Sequence, residues 1–444
     1  MKKLSLVSLA ILVSFCVYGK FTYDPSTGTI VDEVNGWTFK ATLKNNTDEL
    51  SLDGTGCSYS RSSPCSLDLT EITDADGKTY KAVSFKALPA AAKPYLTEFI
   101  APDCQKIEGE KCFNNCTELL KVALDENVTY IGAFSFYKCS KLENFTPRTL
   151  AVEYVYKYTF HSCSNLRGGF TLSSCKKILE GGFNSAANLE WIEAPEATVI
   201  GDGAFYGCSV LTSVSVPKIK QICNQAFQNC TSLTTESVNG MMHRGVELLA
   251  TNAGSTGGVA FGGCTSIEGP LIWNMPQLQT NVVWYSMFSS CSNLREVRIL
   301  SEVAEIREAA FKNIAPGAAV YMPMKAPAVF GVNAVCRQSA PYPKIYLNGN
   351  YDAWFKVMGV SHQILPKERF NDPTWTSTTT QTWYDRMRKR MSDDTEMCTT
   401  TKTGNTITEV AAKDKNVIAF VAFNDASWCW VLKIPEQGFR VIVR

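Results

Sequence analysis

The stretch Ile200-Gly-Asp-Gly-Ala-Phe205-Tyr-Gly-Cys208-Ser-Val-Leu211-Thr-Ser-Val214-Ser-Val216-Pro217 decides the fold, because the chain repeats its pattern. In most copies a phenylalanine is followed by a cysteine three residues later and by a leucine or isoleucine after three more. The nine pairs are Phe113 and Cys116, Phe136 and Cys139, Phe160 and Cys163, Phe183 and Ala186, Phe205 and Cys208, Phe227 and Cys230, Phe261 and Cys264, Phe288 and Cys291, and Phe311 and Ile314. The second members lie 23, 24, 23, 22, 22, 34, 27 and 23 residues apart, which indicates one repeated structural unit.

Two further apolar features accompany this block. In most copies an isoleucine precedes the phenylalanine by five or six residues, at Ile107, Ile131, Ile178, Ile200, Ile222 and Ile306. After the block comes a short apolar alternation such as Val214-Ser-Val216, which predicts a half-buried strand that Pro217 ends. Because one unit cannot bury its own apolar face, we expect the units to stack as turns of a coil, with strands about 4.8 Å apart.

This pattern closely resembles the BspA-like subfamily of leucine-rich repeats. The segment Asp76-Gly77-Lys78-Thr79-Tyr80-Lys81-Ala82-Val83 also resembles the lead-in of such proteins, so that the likeness covers about residues 76–325. The resemblance implies a right-handed solenoid and a family of cell-surface or secreted proteins that attach to other proteins and cells. It brings no catalytic residues, since the family pattern has none. The chain departs from the pattern at Ala186, at Ile314 and in the long steps around Cys264.

We therefore predict a repeat solenoid of the leucine-rich repeat class, a β-dominated α/β fold with short parallel strands and small β-rich caps. Turns at Asn35-Gly36 and Asp76-Gly77 indicate β-hairpins in the first cap. Beyond the repeats we expect a last strand at 344–347 and a short closing helix at 352–358. The predicted segments are a signal peptide (1–19), an N-terminal β-hairpin cap (20–84), the solenoid (85–322), a C-terminal cap (323–370), and a Thr-rich linker with a β-rich tail module (371–444).

The N-terminal residues and the composition indicate in which compartment the protein acts. The basic start Met1-Lys2-Lys3, the apolar run from Leu4 to Tyr18 and the small residues before Gly19 predict a signal peptide, so we expect a secreted or cell-surface protein. No second apolar run of membrane-spanning length follows, and we expect no integral membrane segment in the mature chain. With 43 basic and 42 acidic residues, the charge is not that of a nucleic-acid-binding protein.

Cysteine usage has to be explained separately, because 17 cysteines in a secreted chain suggest disulfides. Seven of them occupy the repeated position, where stacked Cβ atoms about 4.8 Å apart would exceed the mean of about 3.8 Å in a disulfide. We therefore predict a ladder of buried, unreactive thiols. Local disulfides are predicted between Cys57 and Cys65 and between Cys398 and Cys429. Apart from Cys16 in the signal peptide, an odd set remains, and at least one of its thiols should be free: Cys104, Cys112, Cys175, Cys223 and Cys336.

The sequence contains no motif that predicts catalysis, a cofactor or a metal. It has no Cys-x-x-Cys pair, and its three histidines lie far apart. The segment Ala253-Gly254-Ser255-Thr256-Gly257 has the spacing of a nucleophile elbow, but it lies in a Gly-rich insertion (239–259) without the expected strand and helix. We expect this insertion to form a loop, either on the binding face or as a tolerated surface excursion.

A binding face is predicted from the alternation of the short strands. If they form a concave sheet, the residues that point outward are Glu98, Lys121, Ala123, Trp191, Glu193, Ser213, Ser215, Glu296 and Arg298. Trp191 alone has the size expected of an interface anchor.

The leading functional hypothesis is a surface protein that binds protein or glycan partners, in adhesion or another cell-surface interaction. The alternative is a structural protein that assembles with copies of itself into a coat or spacer. An enzyme with activity in the tail ranks last, because its acidic residues have no recognisable spacing: Asp352, Glu368, Asp372 and Asp385. Ligand identity and oligomeric state are left open.

Overall fold

The computed structural model describes residues 20–32, 34–44, 47–60, 62–250, 258–322, 324–347, 351–359, 363–372, 381–403, 406–422 and 427–433. The predicted signal peptide (1–19) and the predicted nucleophile elbow (253–257) lie outside these residues. None of the helices within these ranges is long and apolar enough to cross a membrane.

The strands of the N-terminal segment are β1 (Phe21–Asp24), β2 (Thr29–Asp32), β3 (Trp37–Leu43), β4 (Glu49–Tyr59), β5 (Cys65–Asp68), β6 (Ile72–Thr73) and β7 (Thr79–Phe85). All of them except β5 belong to one sheet, which continues into the repeats. Gly36 and Gly77 have φ angles of 78° and 79° in the turns between antiparallel strands, so both predicted hairpin turns are confirmed. β7 pairs in parallel with the first repeat strand on one side of the coil, and the cap therefore extends the solenoid sheet.

The repeats follow as a long series of short elements. They are η1 (Ala90–Ala92), β8 (Leu96–Ile100), β9 (Lys106–Ile107), β10 (Lys121–Ala123), β11 (Tyr130–Ile131), β12 (Asn144–Thr146), β13 (Thr149–Leu150), β14 (Tyr154–Val155), β15 (Gly168–Leu172), β16 (Lys177–Ile178), β17 (Leu189–Glu193), β18 (Val199–Ile200), β19 (Ser213–Ser215), β20 (Gln221–Ile222), α1 (Thr235–Met241), β21 (Leu248–Leu249), β22 (Leu271–Trp273), β23 (Val282–Val283), β24 (Glu296–Ile299), β25 (Glu305–Ile306), β26 (Phe311–Lys312), β27 (Ala319–Met322), β28 (Val329–Phe330), β29 (Val335–Cys336) and β30 (Lys344–Leu347).

These strands stack in parallel on two sides of the coil. The first side contains the sheets β5-β8-β10-β12, β13-β15-β17-β19 and β22-β24-β27-β30. The second side contains the isoleucine strands, in the series β7-β9-β11, β14-β16-β18-β20-β21 and β23-β25-β28. The predicted β-dominated repeat solenoid with short parallel strands is therefore confirmed.

The third side is a corner built around the repeated phenylalanine. Its backbone N–H donates to a carbonyl of the next coil, for example from Phe205 to Ala226 at 2.8 Å. From Phe113 to Phe311 the rings form one continuous stack, with centroids 5.2–5.5 Å apart and planes within 6° of parallel. Phe85 of the N-terminal cap adds a further ring below Phe113 at 5.5 Å. The stack therefore continues without a break through the nine repeated phenylalanines.

Eight of the nine corners turn through two residues with left-handed backbone, two positions before and two positions after the phenylalanine; the corner at Phe261 has the second of them. This conformation favours glycine and asparagine, because a larger side chain crowds the neighbouring backbone. The φ angles lie between 50° and 75° at Lys111, Phe134, Tyr158, Gly181, Gly203, Gln225, Ser286 and Ala309 before the ring, and at Asn115, Lys138, Ser162, Ser185, Gly207, Asn229, Gly263, Ser290 and Asn313 after it.

The repeated cysteines are buried free thiols with a defined hydrogen-bonding role. Six of them donate at 3.0–3.2 Å to the carbonyl of a phenylalanine in an earlier coil, as Cys230 does to Phe205. A thiol is a weak donor of small volume, so it fills the space beside the ring and also satisfies a buried acceptor. Burial raises the pKa of the Cys291 thiol to about 12.

Helix α1 replaces a strand of the first side, between β19 and β22. Its N-cap is Thr234, whose side chain accepts from the Ser237 N–H at 3.3 Å. Ser237 Oγ accepts from the Val214 N–H of β19 at 2.8 Å, and Asn239 Oδ1 accepts from the Ile272 N–H of β22 at 2.9 Å. Side chains thus replace the backbone partners that a strand would offer. The predicted 239–259 loop therefore starts inside a helix and contains β21.

The tail completes the last coil. Its elements are α2 (Tyr351–Gly359), β31 (Gln363–Pro366), η2 (Lys367–Arg369), α3 (Gln381–Asp393), β32 (Cys398–Thr403), β33 (Thr406–Ala412), β34 (Val417–Ala422) and β35 (Trp428–Lys433). β35 pairs in parallel with β30, and β34 and β31 extend the same sheet. The predicted strand and helix after the repeats correspond to β30 and α2. Helix α3 was not predicted: in its part with described side chains (385–393), the buried apolar residues are Met387 and Met391, a short stripe among charged residues.

The predicted disulfide between Cys398 and Cys429 is wrong, since both are free thiols on different sides of the tail sheet. Cys429 belongs to the solenoid core, whereas its neighbours Trp428 and Trp430 pack with Cys398 in a second core under α3. Successive side chains of β35 point to opposite faces of the sheet. Cys429 therefore points to the solenoid core, away from its two tryptophan neighbours and from Cys398. The Cys57 side chain lies outside the described residues, so its bridge to Cys65 stays a prediction.

Replacing Phe205 with Ala should destabilise the protein by about 3–5 kcal/mol, because it removes a ring from the middle of the stack and leaves a cavity. The measurement is the urea midpoint of unfolding, followed by circular dichroism. The exposed Val210 lies nearby and provides the control, as Val210→Ala should change stability by less than about 0.5 kcal/mol. Equal midpoints for the two variants would contradict the role of the stack.

The ladder thiols should resist alkylation in the native protein at pH 8. Burial excludes the reagent from all of these thiols. Burial also raises the pKa of six of them, which keeps the reactive thiolate scarce at that pH: Cys139, Cys163, Cys208, Cys230, Cys264 and Cys291. We expect iodoacetamide to leave Cys116, Cys139, Cys163, Cys208, Cys230, Cys264 and Cys291 unmodified until urea is added, as read by peptide mass spectrometry. The half-buried Cys223 serves as the internal comparison and should react first. Modification of the ladder at the rate of Cys223 would show that these coils open.

Candidate functional site

The predicted binding face is divided into three parts. Glu98 and Lys121 are neighbours in register on β8 and β10. Trp191 and Glu193 lie beside Ser213 and Ser215 on β17 and β19. The remaining pair, Glu296 and Arg298 on β24, form an ion pair with each other. Because the first side consists of three sheets, with α1 between the second and third, the predicted residues do not form one continuous surface.

Trp191 is the largest side chain on this face, and a glycine makes room for it. A Cβ atom on Gly169 would lie 2.2 Å from the Trp191 ring, so the indole covers the backbone of the previous coil. The tryptophan is half-buried, whereas Glu193 and Ser213 are exposed around it. Thr171 Oγ1 donates to Glu193 Oε2 at 3.2 Å and orients that carboxylate. The middle part of the face thus presents one fixed aromatic ring with polar neighbours.

A second aromatic surface, which the sequence analysis missed, lies on the phenylalanine corner. We call Phe134, Tyr137, Tyr158 and His161 the aromatic corner. All four are half-buried side chains from two consecutive coils. The rings of Phe134 and Tyr158 are 5.1 Å apart, and those of Tyr137 and His161 stack at 4.9 Å with planes 10° apart. They form one linked cluster, because Tyr158 also contacts both Tyr137 and His161 edge-on.

Two rings of the aromatic corner are held in an unfavourable backbone conformation. Phe134 and Tyr158 have φ angles of 56° and 53°, where the next two coils place Gly181 and Gly203. A bulky side chain at such an angle costs of the order of 1–3 kcal/mol, and strain of this kind is concentrated at functional sites. Gly181 accommodates the neighbouring ring, since its Cβ would lie 2.4 Å from Tyr158 ring carbons.

Charged groups surround the aromatic corner. Lys111 and Lys138 place their Nζ atoms 5.6 Å and 5.3 Å from the ring centres of Phe134 and Tyr137. Tyr158 donates its hydroxyl to Glu180 Oε1, and this hydrogen bond is the main reason why the pKa of Tyr158 rises to about 12. A cation close to a ring face is attracted by the ring, so the two lysines favour the observed positions of Phe134 and Tyr137.

His161 contributes an uncharged ring to the cluster at neutral pH. Burial, and then the nearby Lys138 ammonium, lower the pKa of His161 below its ordinary value. Because the imidazole is uncharged, it can stack on Tyr137 without repelling the Lys138 ammonium. The arrangement therefore offers ring faces, hydroxyl groups and ammonium groups, which suit recognition. Among the residues described, no group of three or more His, Cys, Asp or Glu side chains is placed to hold a metal ion.

A comparison of repeat positions is the signal that could have revealed the aromatic corner. In most coils the position two residues before the repeated phenylalanine is glycine or a small or polar residue, but in the coils of Phe136 and Phe160 it is Phe134 and Tyr158. The position one residue after the ring carries Tyr137 and His161 in these same coils. Strand alternation instead pointed to residues of the short strands on the first side of the coil, and not to the phenylalanine corner.

The repeats match a known family. The profile described as the BspA type leucine-rich repeat region matches in six copies, over residues 91–198 and 176–324. The two ranges together span residues 91–324, which are more than half of the 444 residues. No curated protein matches the chain.

Solved structures of bacterial repeat proteins are similar to this chain. A leucine-rich repeat protein from Bacteroides ovatus ATCC 8483 is 14% identical over 71% of this chain and 94% of its own, with a TM-score of 0.42. A leucine-rich cell surface protein from Faecalibacterium prausnitzii A2-165 is 19% identical over 65% of this chain and 94% of its own, with a TM-score of 0.32. The pneumococcal vaccine antigen PcpA is 12% identical over 69% and 94% of the two chains, with a TM-score of 0.29. By its repeats, the chain belongs to the BspA-type leucine-rich repeat family.

Proposed function

We propose that the chain is a secreted or cell-surface protein that binds a protein or glycan partner through the aromatic corner, in adhesion or another cell-surface interaction. The observation that carries this proposal is the pair of strained aromatic residues, Phe134 and Tyr158, on a half-exposed surface. Most coils hold this position at a left-handed φ angle, so the fold explains the conformation. It does not explain why these two coils place a bulky aromatic residue there, since the two rings lie outside the continuous phenylalanine stack. A partner that covers the rings would explain why the strain is kept.

The scaffold supports binding because it holds the rings rigidly. Tyr158 is fixed by its hydrogen bond to Glu180, and Tyr137 by its stacking on His161. Since these side chains are ordered before a partner arrives, little conformational entropy is lost on binding. Aromatic residues are also the commonest anchors of protein interfaces. Trp191, on the first side, is a second and separate anchor of the same kind.

The family supports the cell-surface part of the proposal. One similar structure is that of a leucine-rich cell surface protein from Faecalibacterium prausnitzii. The predicted signal peptide at residues 1–19 is consistent with export of this chain as well.

Replacement of Tyr137 and His161 with alanine should weaken binding through the aromatic corner without disturbing the core. We expect the Tyr137→Ala, His161→Ala double variant to bind about tenfold or more weakly to an immobilised mucin glycoprotein or to the glycans of an array that retain the wild-type protein. The control is Tyr206→Ala, which removes a half-buried ring from the same repeat position two coils further on. If both variants bind as the wild type does, or lose binding equally, the aromatic corner is not the binding surface.

Export should remove the first 19 residues. Expressed with its own N-terminus in a bacterium, the protein should accumulate outside the cytoplasm with Lys20 as its first residue, as measured by intact mass. Val13→Arg places a charge in the apolar run and should retain the protein inside the cell, whereas the conservative Val13→Leu should not. An exported protein that keeps residues 1–19 would contradict the predicted signal peptide.

A further inference from the structure

Two buried cysteines lie beside each other where the tail returns to the last coil. Arg337, directly after β29, and Trp428, at the start of β35, exchange two backbone hydrogen bonds. The Arg337 N–H donates to the Trp428 carbonyl at 3.3 Å, and the Trp428 N–H donates to the Arg337 carbonyl at 3.0 Å. They form the hydrogen-bonded pair of an antiparallel bridge. The residue before Arg337 therefore lies opposite the residue after Trp428, which places Cys336 opposite Cys429.

This register suits a disulfide. Next to a hydrogen-bonded pair lies a non-hydrogen-bonded pair, in which the Cα atoms are about 4.5 Å apart and the side chains are closer together. Disulfides span Cα distances of about 4.4–6.8 Å. The cysteines of the ladder have no such relation to each other, because they follow one another in parallel coils.

The two cysteine side chains point to the same face. Opposite residues of an antiparallel pair share a face, and successive residues alternate between faces. Cys336 and Cys429 are both fully buried in the solenoid core, whereas Trp428 belongs to the second core. Of the described residues after β30, the other cysteine is Cys398, which also belongs to the second core. Cys336 is therefore the cysteine that Cys429 faces.

The role of the ladder thiols does not explain Cys336. Val335 is in register with Phe311, so Cys336 follows the ring position by one residue, whereas the ladder cysteines follow it by three. The Cys336 thiol donates to the Asn333 carbonyl at 3.4 Å, three residues earlier, and not to a carbonyl of an earlier coil. Because a thiol is a weak donor, loss of this hydrogen bond on oxidation costs little.

We propose that Cys336 and Cys429, which are thiols in the structure, form a disulfide in the exported protein and so fix strand β35 to the last coil. The proposal rests on the export part of the proposed function, because thiols persist in the cytoplasm and are oxidised outside it. It is independent of the aromatic corner. The bond closes the loop from residue 336 to residue 429, so helices α2 and α3 lie within it.

The bond forms by exchange with an oxidant that is itself a disulfide. The thiolate of one cysteine attacks the oxidant, and a mixed disulfide forms with release of one thiol. The thiolate of the second cysteine then displaces the other oxidant sulfur. Two cysteine thiols and one oxidant disulfide thus become one cystine and two thiols, and the two electrons pass to the oxidant.

Exchange has to precede the docking of the tail. Burial raises the pKa of the Cys336 thiol to about 11. Burial, and then the neighbouring Cys336, raise the pKa of Cys429 well above its ordinary value. Since the thiolate is the attacking species, both cysteines are unreactive once they are buried. The bond therefore forms while the protein folds.

The test is to refold the purified protein from urea with glutathione disulfide and glutathione, to block free thiols with N-ethylmaleimide in urea, and to digest the product with trypsin without reductant. We expect a linked species of peptides 326–337 and 416–433, which separates into the two peptides on reduction. Because the oxidant is supplied in the buffer, this result does not depend on whether the signal peptide is cleaved or a partner is bound. Recovery of both peptides with blocked thiols would overturn the proposal.

Thermal stability gives a second readout. A reductant should lower the midpoint of thermal unfolding of the wild type by about 5 °C, as expected for the loss of a disulfide that closes a long loop. Cys336→Ala should give no linked species and a smaller fall. The matched control is Cys398→Ala, which also removes a buried tail thiol and should behave like the wild type. Equal falls in the wild type and in Cys336→Ala would contradict the role of the bond in fixing β35.

Discussion

The stacked phenylalanine rings are the constraint on which the rest of the structure depends. Ten rings, from Phe85 to Phe311, lie 5.2–5.5 Å apart and nearly parallel along the corner of the coil. This spacing brings the thiol of each coil to the carbonyl beside an earlier ring, and it brings the short strands within pairing distance on the other two sides. The cysteine at the repeated position is therefore explained by the ring stack and not by disulfide chemistry.

The same constraint explains which irregularities the solenoid tolerates. The step from Cys230 to Cys264 is 34 residues long, yet Phe227 and Phe261 still stack at 5.4 Å. The additional residues are accommodated elsewhere in the coil, where Ser237 and Asn239 of α1 supply the hydrogen bonds that a strand would have made. At the end of the array, β35 returns from the tail to pair with β30 and covers the last coil. A repeat protein needs such a cover, since its terminal coil would otherwise expose apolar surface.

The proposed binding surface lies at positions that the ring stack leaves free. Two coils place an aromatic residue, Phe134 or Tyr158, two positions before the stacked ring, at a conformational cost. The other coils have smaller or polar residues at that position and do not form such a ring cluster.

The sequence by itself determined the architecture, because a repeated pattern of 22 to 24 residues fixes which side chains must meet when the units stack. Phenylalanine and cysteine positions, parallel strands and both glycine turns followed from local spacing alone. Only the tertiary structure decided which surfaces form. Trp191 and Arg298 both follow the outward alternation, but α1 separates their sheets. Cys398 and Cys429 both lie in the tail, but the pairing of β35 with β30 places one thiol in each core. The aromatic corner depends on ring contacts between two consecutive coils: a comparison of the repeat positions could have pointed to its residues, but only the stacking of the coils brings their rings to 4.9–5.1 Å from each other.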